Sequence, residues 1–549
     1  MVFLILLLTK FFELCIIVYE SFNEERAMNR THWIFTLGVV FFVLPLTVTA
    51  QPAYQFLPDV RVNSDPVSTY YHTTGFTNGH SIGSYQGAPF VLWAGDQEDG
   101  IHPHIYLSKS TDGGGTFLPP VRVDRSGGIY SARYPSLLID TTGVIYAAWM
   151  DSSTSIDHLY VARSTDGGGS FTLPVRADSN GGLNPQLPAL AVNSRGTLYV
   201  TWSGWQDSSR TASNIYLAKS TDGGLTFSPA ALVDSTLNLR ATASNIAADT
   251  AGTLFLVWRD NRSGSSYYHV YFCKSTDGGN TFTPAVEVDL PGPYSGTFPS
   301  LAVDRTGQYI YCAYKERDTG IHHIYLSKSS DGGLSFGGRI QTDSTGESDT
   351  PNLAFREPDR LYLIWKDTRG GGFGDAYFSY STDQGANFSP EQRVNTPPIS
   401  GVLYPHVTFG PGDTVYTCWT DLRNSSSYPD IYFAKGIPDP TGANEEDSEM
   451  KSVELEIQGP FPNPITDRLQ IHFTRRTEGL VSLSIYDLQG RNVWQTSALC
   501  KPGTPYRFTW LFESSKEHKA SSGIYFLRWQ TFGSQASSKR GVMKFIIVK

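Results

Sequence analysis

Between residues 54 and 436 the apolar positions alternate in short runs, and no stretch keeps a helical period. The runs recur in groups of four about every 50–56 residues. The second run of each group ends on an aromatic: Trp93, Trp149, Trp202, Trp258, Tyr314, Trp365 and Trp419. A third run follows at Ile105–Ser110, Leu159–Ser164, Ile215–Ser220, Val270–Ser275, Ile324–Ser329 and Ala376–Ser381. First runs such as Ser136–Asp140, Ala189–Asn193, Ser300–Asp304 and Asn352–Phe355 precede the aromatic series. A fourth leads to Val121-Arg122-Val123-Asp124 or a relative of it. Period-two alternation bounded by Gly, Ser and Asp predicts β-strands. Four strands at a fixed period predict the blade of a β-propeller.

Between the third and fourth runs stands one eight-residue turn in six copies, from Ser110 to Phe117, Ser164 to Phe171, Ser220 to Phe227, Ser275 to Phe282, Ser329 to Phe336 and Ser381 to Phe388. The first reads S-T-D-G-G-G-T-F and the last S-T-D-Q-G-A-N-F. Its Asp can accept backbone N–H groups and its glycines permit positive φ. Asp112, Asp166, Asp222, Asp277, Asp331 and Asp383 are therefore expected to be structural. The aromatic series has seven members and the turns only six. The last group stops after Ile431–Lys435, while residues 56–63, F-L-P-D-V-R-V-N, match residues 388–395, F-S-P-E-Q-R-V-N. The N-terminal segment is thus expected to supply the missing fourth strand, because an unclosed ring leaves two unpaired edges. The expectation is an all-β, seven-bladed propeller over residues 51–436. A six-bladed ring with a stray hairpin is the alternative.

The turns resemble the Asp-box (BNR) repeat, S-x-D-x-G-x-T-[WF], and five of six copies keep its Ser, Asp, Gly, hydroxyl and aromatic. That resemblance implies a sialidase-like propeller, a fold shared by glycosidases, lectins and sorting receptors, so it does not fix the function. For sialidases it implies three arginines on a substrate carboxylate, a Tyr–Glu nucleophile pair, an Asp acid/base and an F/Y-R-I-P segment. The nearest string is Phe355-Arg356-Glu357-Pro358, in a turn on the far side from the expected ligand loops. The family's catalytic set cannot be carried over residue by residue.

Residues 1–50 read as a leader. After Met28 come basic residues, an apolar run from Trp33 to Leu46 and Val48-Thr49-Ala50, a secretory signal pattern with Met28 as the expected start. Residues 437–450 read as a linker. Residues 451–549 hold alternating runs, a Pro462-Asn463-Pro464 segment, a D-L-Q-G-R turn (Asp487 to Arg491) and Ser522 to Phe526, S-G-I-Y-F. About seven short strands in that length predict a small Ig-like β-sandwich. This block resembles the type A C-terminal sorting domain of the type IX secretion system. The resemblance implies that machinery as a partner, and a secreted or outer-surface location in a Gram-negative bacterium. No stable membrane span is expected in the mature form.

Charge divides along the same line, with 14 Lys and Arg against 7 Asp and Glu in residues 451–549, and 29 against 45 elsewhere. An acidic propeller lacks the cations that nucleic-acid binding requires. The five cysteines match no metal or disulfide spacing, so no metal and no cofactor are expected.

Ligand-face candidates follow the aromatic series: Asp96, Asp151, Asp207, Asp260, Glu316, Asp367 and Asp421, several with Arg262, Arg317, Arg369 or Arg423 close behind. Repetition favours bracing for these. The inter-blade segments differ from one another, as a specific site requires. They offer Tyr130, Tyr134, Tyr294, Tyr404 and His406 for ligand binding and Arg133, Arg240 and Glu347 besides. Two functions stay open. One is a secreted propeller binding a glycan or protein. The other is a divergent exo-α-sialidase-type hydrolase using Arg133, Arg240, Glu316, Glu347 and Asp96.

Overall fold

The computed structural model describes residues 54–438 and 455–547, excepting 67–70, 76–79, 125–130, 153–155, 235–238, 263–266, 290–294, 319, 345–346, 397–400, 462–467, 476–478, 489–490, 502–504, 512–521 and 533–539. The leader, Met28, most of the linker, Tyr130 and Tyr294 lie outside the described residues. The described residues fall into two compact units, divided between residues 442 and 443. Among the described residues, no helix is long and apolar enough to cross a membrane.

Among the described residues, the larger unit holds seven antiparallel sheets. Sheet 1 uses His72–Thr73, Ile82–Tyr85, Ala88–Gly95, His104–Lys109 and Val121–Arg122. Sheet 2 uses Ala132–Ile139, Ile145–Asp151, His158–Ser164 and Val175–Arg176. Sheet 3 uses Leu183–Val192, Leu198–Trp205, Ser213–Ser220 and Ala231–Leu232. Sheet 4 uses Thr242–Ala248, Leu254–Asp260, His269–Ser275 and Val286–Glu287. Sheet 5 uses Gly296–Val303, Ile310–Asp318, Ile321–Ser329 and Ile340–Gln341. Sheet 6 uses Ser348–Arg356, Arg360–Asp367, Asp375–Ser381 and Gln392–Arg393. Sheet 7 uses Val402–Phe409, Val415–Asp421 and Asp430–Pro438, and its outer strands come from the other end of the chain. There Val60 pairs with Phe433, Arg61 with Tyr432 and Tyr54–Phe56 with Gly436–Pro438.

Burial lies between sheets. Leu92 and Ile105 of sheet 1 cluster with Ala147 and Trp149 of sheet 2, and the same arrangement continues around the chain. The last cluster joins Tyr416, Cys418 and Phe433 of sheet 7 to Val91, Trp93 and Tyr106 of sheet 1. Six tryptophans of the aromatic series and Tyr314 are fully buried in these layers. Cys273, Cys312 and Cys418 are buried free thiols, and burial pushes each of them up.

The repeated turns tie these layers together. In all six, the Ser hydroxyl donates to the Asp at 2.7–2.8 Å and accepts from the Gly two positions beyond that Asp at 2.7–2.9 Å. The second Asp oxygen accepts the hydroxyl four residues on, at 2.6–2.8 Å, or Asn387 Nδ2 at 2.7 Å in the last copy. Those hydroxyls hold Asp166, Asp222, Asp277 and Asp331 well below the usual carboxylate range. Each turn also meets the preceding sheet. Lys219, Lys274 and Lys328 donate to the backbone oxygens of Gly278 (3.0 Å), Gly332 (2.6 Å) and Gln384 (3.1 Å).

The second glycine of the turn has no freedom to grow. Gly333 has φ +84°, and a Cβ there would stand 2.2 Å from Phe272 Cε1. We expect Gly333→Ala to lower stability by about 2–4 kcal/mol, from left-handed backbone strain and overpacking. Gly338→Ala meets nothing within 4 Å and should shift the urea midpoint little. Equal midpoints for the two variants would refute this account of the turn.

The smaller unit has a three-stranded sheet, Leu455–Phe461, Arg468–Arg475 and Pro505–Leu511. A four-stranded sheet comprises Asn492–Cys500, Gly479–Asp487, Gly523–Phe532 and Arg540–Ile547. Val481, Leu483, Ile485 and Leu527 are fully buried there.

Candidate functional site

The first strands carry a repeated distortion. Tyr134, Leu187, Ala243, Phe298, Thr350 and Tyr404 have φ of 54°, 55°, 61°, 53°, 48° and 48°, one residue in each of sheets 2 to 7. At each, the register between first and second strands slips through a bulge. Pro135, Pro188, Pro299, Pro351 and Pro405 follow five of them, which a strand tolerates at a bulge. Each left-handed non-glycine residue costs about 1–3 kcal/mol, and bulges of this kind re-aim side chains.

A pocket of about 250 Å³ lies at four consecutive bulges, Tyr134, Leu187, Ala243 and Phe298. Its walls include Trp205, Arg240, Arg259 and Tyr268. No carboxylate lines it among the described residues. Arg259, on the second strand of sheet 4, pairs with Thr242 just before the bulge. Its guanidinium carbon lies 5.1 Å from the centre of the Tyr268 ring and 5.2 Å from that of Phe298. Its Nε has no hydrogen-bond partner among the described residues. Burial lowers its pKa, Tyr268 and Asp349 oppose this, and nearby Arg240 adds to it. A guanidinium stays charged even so. Arg240 is exposed, with its guanidinium 5.0 Å over Trp205, and its backbone N–H donates to Asn261 Oδ1 at 2.9 Å.

The register position of Arg259 holds Lys315 in sheet 5 and Lys366 in sheet 6. Lys315 Nζ is 3.1 Å from Asp349 Oδ1 and 5.7 Å over Phe298. Burial lowers the Lys366 pKa, Asp349 opposes this, and Lys315 adds to it. Three successive sheets thus place a cation before the bulge, with Asp349 the acid among them.

Of the residues singled out in the sequence, Tyr134 and Arg240 come together in this pocket. Arg133 is exposed and immediately precedes the Tyr134 bulge. Tyr404 occupies the sheet 7 bulge, its hydroxyl pushed up to about 12 by burial and then by Tyr71, Tyr134 and Asp349. His406 requires correction. It is fully buried, with Nε2 donating to Gly75 O at 2.9 Å, and burial lowers its pKa to about 3. Two residues past the bulge, this position bonds the next sheet. Ser300 Oγ accepts from Leu353 N, and Asn352 Oδ1 accepts from Val407 N, both at 2.9 Å. His406 therefore braces sheets and offers no ligand surface.

The acids lie elsewhere. Glu316 is fully buried against Arg339, not Arg317. Glu347 is exposed and pairs with His322 at 2.8 Å. Asp96 is buried and accepts Tyr71 N at 2.6 Å. None of the three lines the pocket. Asp260, Asp367 and Asp421 are fully buried, each accepting its own strand's Trp Nε1 and pairing with Arg262, Arg369 or Arg423. Those guanidiniums stack on Tyr271, Tyr377 and Tyr432 at 4.0–4.2 Å, which is bracing within each blade loop.

Sequence reasoning missed Arg259, Trp205, Tyr268 and Phe298. For Phe298 the available signal was the X-Pro pair that recurs in five of the first strands; Arg259, Trp205 and Tyr268 carry no such mark.

Among solved structures, an ulvan lyase of a polysaccharide lyase family is similar at 14% identity and a TM-score of 0.50, covering 69% of this chain and 95% of its own. A Dyadobacter fermentans protein of unknown function has 14% identity, a TM-score of 0.44, and coverage of 70% and 100%. A Hadza microbial sialidase has 15% identity, a TM-score of 0.41, and coverage of 63% and 73%. These likenesses concern the fold alone. No curated protein matches the chain. The family model of the secretion system C-terminal sorting domain matches residues 460–547, so the chain carries a C-terminal sorting domain for export behind an all-β unit of antiparallel sheets.

Proposed function

We propose that this chain is a secreted or surface-held, seven-bladed Asp-box propeller that binds an acidic glycan at the pocket around Arg259, after export by the type IX machinery. The observation that carries this reading is a half-buried guanidinium between Tyr268 and Phe298, lacking an ion pair among the described residues and backed by Arg240. Desolvating an arginine is costly without a counter-charge, and a planar carboxylate or sulfate supplies one. Trp205 and Tyr268 give flat faces on which sugar rings stack. The strained bulges hold these groups in place before the ligand arrives, which limits the ordering cost of binding.

The seven sheets, the cluster joining sheet 7 to sheet 1 and the pairing of Val60–Arg61 with Phe433 and Tyr432 support the closed ring. The residues matched to the sorting domain support export. Hydrolysis of an acidic sugar is the alternative, but general acid catalysis needs a carboxyl at the scissile bond. Asp96, Glu316 and Glu347 are committed to Tyr71, Arg339 and His322 instead.

A panel of uronate-containing, sulfated, sialylated and neutral oligosaccharides tests the reading on the full chain. Retention of acidic members, weakened by added salt, is expected. Retention of neutral members alone, or of none, would refute it. Turnover of a fluorogenic sialoside would favour the hydrolase.

A further inference from the structure

The third strand of most blades begins with a titratable side chain that meets the residue two positions past the fourth strand. In sheet 1, His104 Nδ1 is 2.8 Å from Asp124 Oδ2, and Arg122 Nε donates to Asp124 Oδ1 at 3.0 Å. In sheet 2, His158 Nδ1 is 3.1 Å from Asp178 Oδ2, and Arg176 Nε donates to Asp178 at 2.7 Å. In sheet 7, Arg61 and Asn63 both donate to Asp430. Each acid therefore has a cationic or amide donor beside it.

Sheet 4 breaks this rule. The position of Arg122 and Arg176 is Glu287, so His269 faces two carboxylates. His269 Nδ1 is 3.3 Å from Glu287 Oε1 and 3.3 Å from Asp289 Oδ2. Asp289 Oδ1 already accepts Val270 N at 3.0 Å, which fixes Oδ2 toward the imidazole. His269 and Asp289 are 3% and 4% exposed, and Nδ1 and Oδ2 face each other without well-formed hydrogen-bond geometry. The Glu287 side chain is 32% exposed and leaves a way in from solvent. A tetrahedral ion with bonds of about 2.0–2.1 Å holds its ligand atoms about 3.3 Å apart.

We propose that His269 Nδ1, Glu287 and Asp289 form a zinc-class divalent cation site with its remaining position open to solvent. One imidazole and two carboxylates are an ordinary N/O donor set for such an ion. The cation replaces the guanidinium that sibling blades keep at this place, and it neutralises the second carboxylate. The other convergence of this kind among the described residues, Asp65, His72 and Asp430, already holds Arg61 at 2.6 Å from Asp430, so its charge is met from within the chain.

The test is zinc titration of the full chain after dialysis against a chelator, read by calorimetry, bound-metal analysis and thermal unfolding. Glu287→Arg restores the sibling arrangement and should fold. His269→Gln provides a second variant with the histidine's bulk and no matching ligand nitrogen. The unmodified chain is expected to bind one more zinc per chain than either variant. Its unfolding midpoint should rise with zinc, and theirs should not. Equal zinc uptake and equal midpoint shifts in all three proteins would overturn the site. Calcium or manganese binding there in place of zinc would overturn the zinc assignment.

Discussion

Deleting residues 54–63 is expected to abolish cooperative unfolding of the larger unit as one body and to leave it prone to association. Tyr54 and Val62 are 6% and 2% exposed, and burying side chains of that size contributes about 1.5–3 kcal/mol each. Tyr54 sits edge-on to Phe378 and Tyr380, with ring centres 5.4 and 4.8 Å away, and its hydroxyl donates to Asp413 O at 2.9 Å. Asn63 Oδ1 accepts Ile431 N at 2.9 Å, and its Nδ2 donates to Asp430 at 2.8 Å. Losing those partners strands a buried N–H and a buried carboxylate, at about 1–3 kcal/mol or more. The total rivals the whole stability of an ordinary domain, about 5–15 kcal/mol. It also bares the Asp430–Pro438 strand as an open edge, the template on which chains aggregate. Thermal unfolding and size-exclusion chromatography read both effects. Asn63→Ala separates the side-chain bonds from the strand, and a smaller fall in midpoint is expected. A deletion variant that unfolds at the original midpoint as a monomer would mean that this segment closes nothing.

That segment was legible because its signal is local and repeated. The string ending Arg61-Val62-Asn63 copies the one ending Arg393-Val394-Asn395, and Asn395 Oδ1 accepts Ala376 N at 2.8 Å just as Asn63 accepts Ile431 N. The eight-residue turns were legible for the same reason, each using both carboxylate oxygens within itself. The first strands were read too short. They begin at Ala132, Leu183, Gly296 and Ser348, ahead of Ser136, Ala189, Ser300 and Asn352, because an internal proline reads as a strand end. Only a bulge, set by pairing with the second strand, carries the ladder past it. His406 was misplaced for a related reason. Close to Tyr404 in sequence, it sits beyond the bulge and bonds Gly75, in the segment that follows His72–Thr73 of sheet 1. Arg259 was hidden between Trp258 and Asp260, whose repetition drew attention. Strand alternation sends it to the opposite face from both neighbours.

Arg259→Met should lower affinity for an acidic oligosaccharide roughly 10- to 150-fold, the equivalent of a charged hydrogen bond of about 1.5–3 kcal/mol. Methionine keeps an unbranched apolar stem beside Tyr268 and Phe298, so unfolding should change little while binding falls. Arg259→Lys should rescue only part of the loss, because an ammonium lacks the planar fork that grips a carboxylate at two points. Arg240→Ala should weaken binding less, since this guanidinium is exposed and its attraction is screened by salt. Both losses should flatten the salt dependence, so the size of the affinity loss at high salt discriminates between the two. With Arg240 gone, affinity should fall less steeply with ionic strength. With Arg259 gone, the slope should fall together with the affinity at every salt concentration. Binding calorimetry at two ionic strengths reads both. Unchanged affinity in Arg259→Met would move recognition away from this pocket, toward Lys315 and Lys366. Those two share the register position of Arg259 in sheets 5 and 6, and Asp349 already answers Lys315.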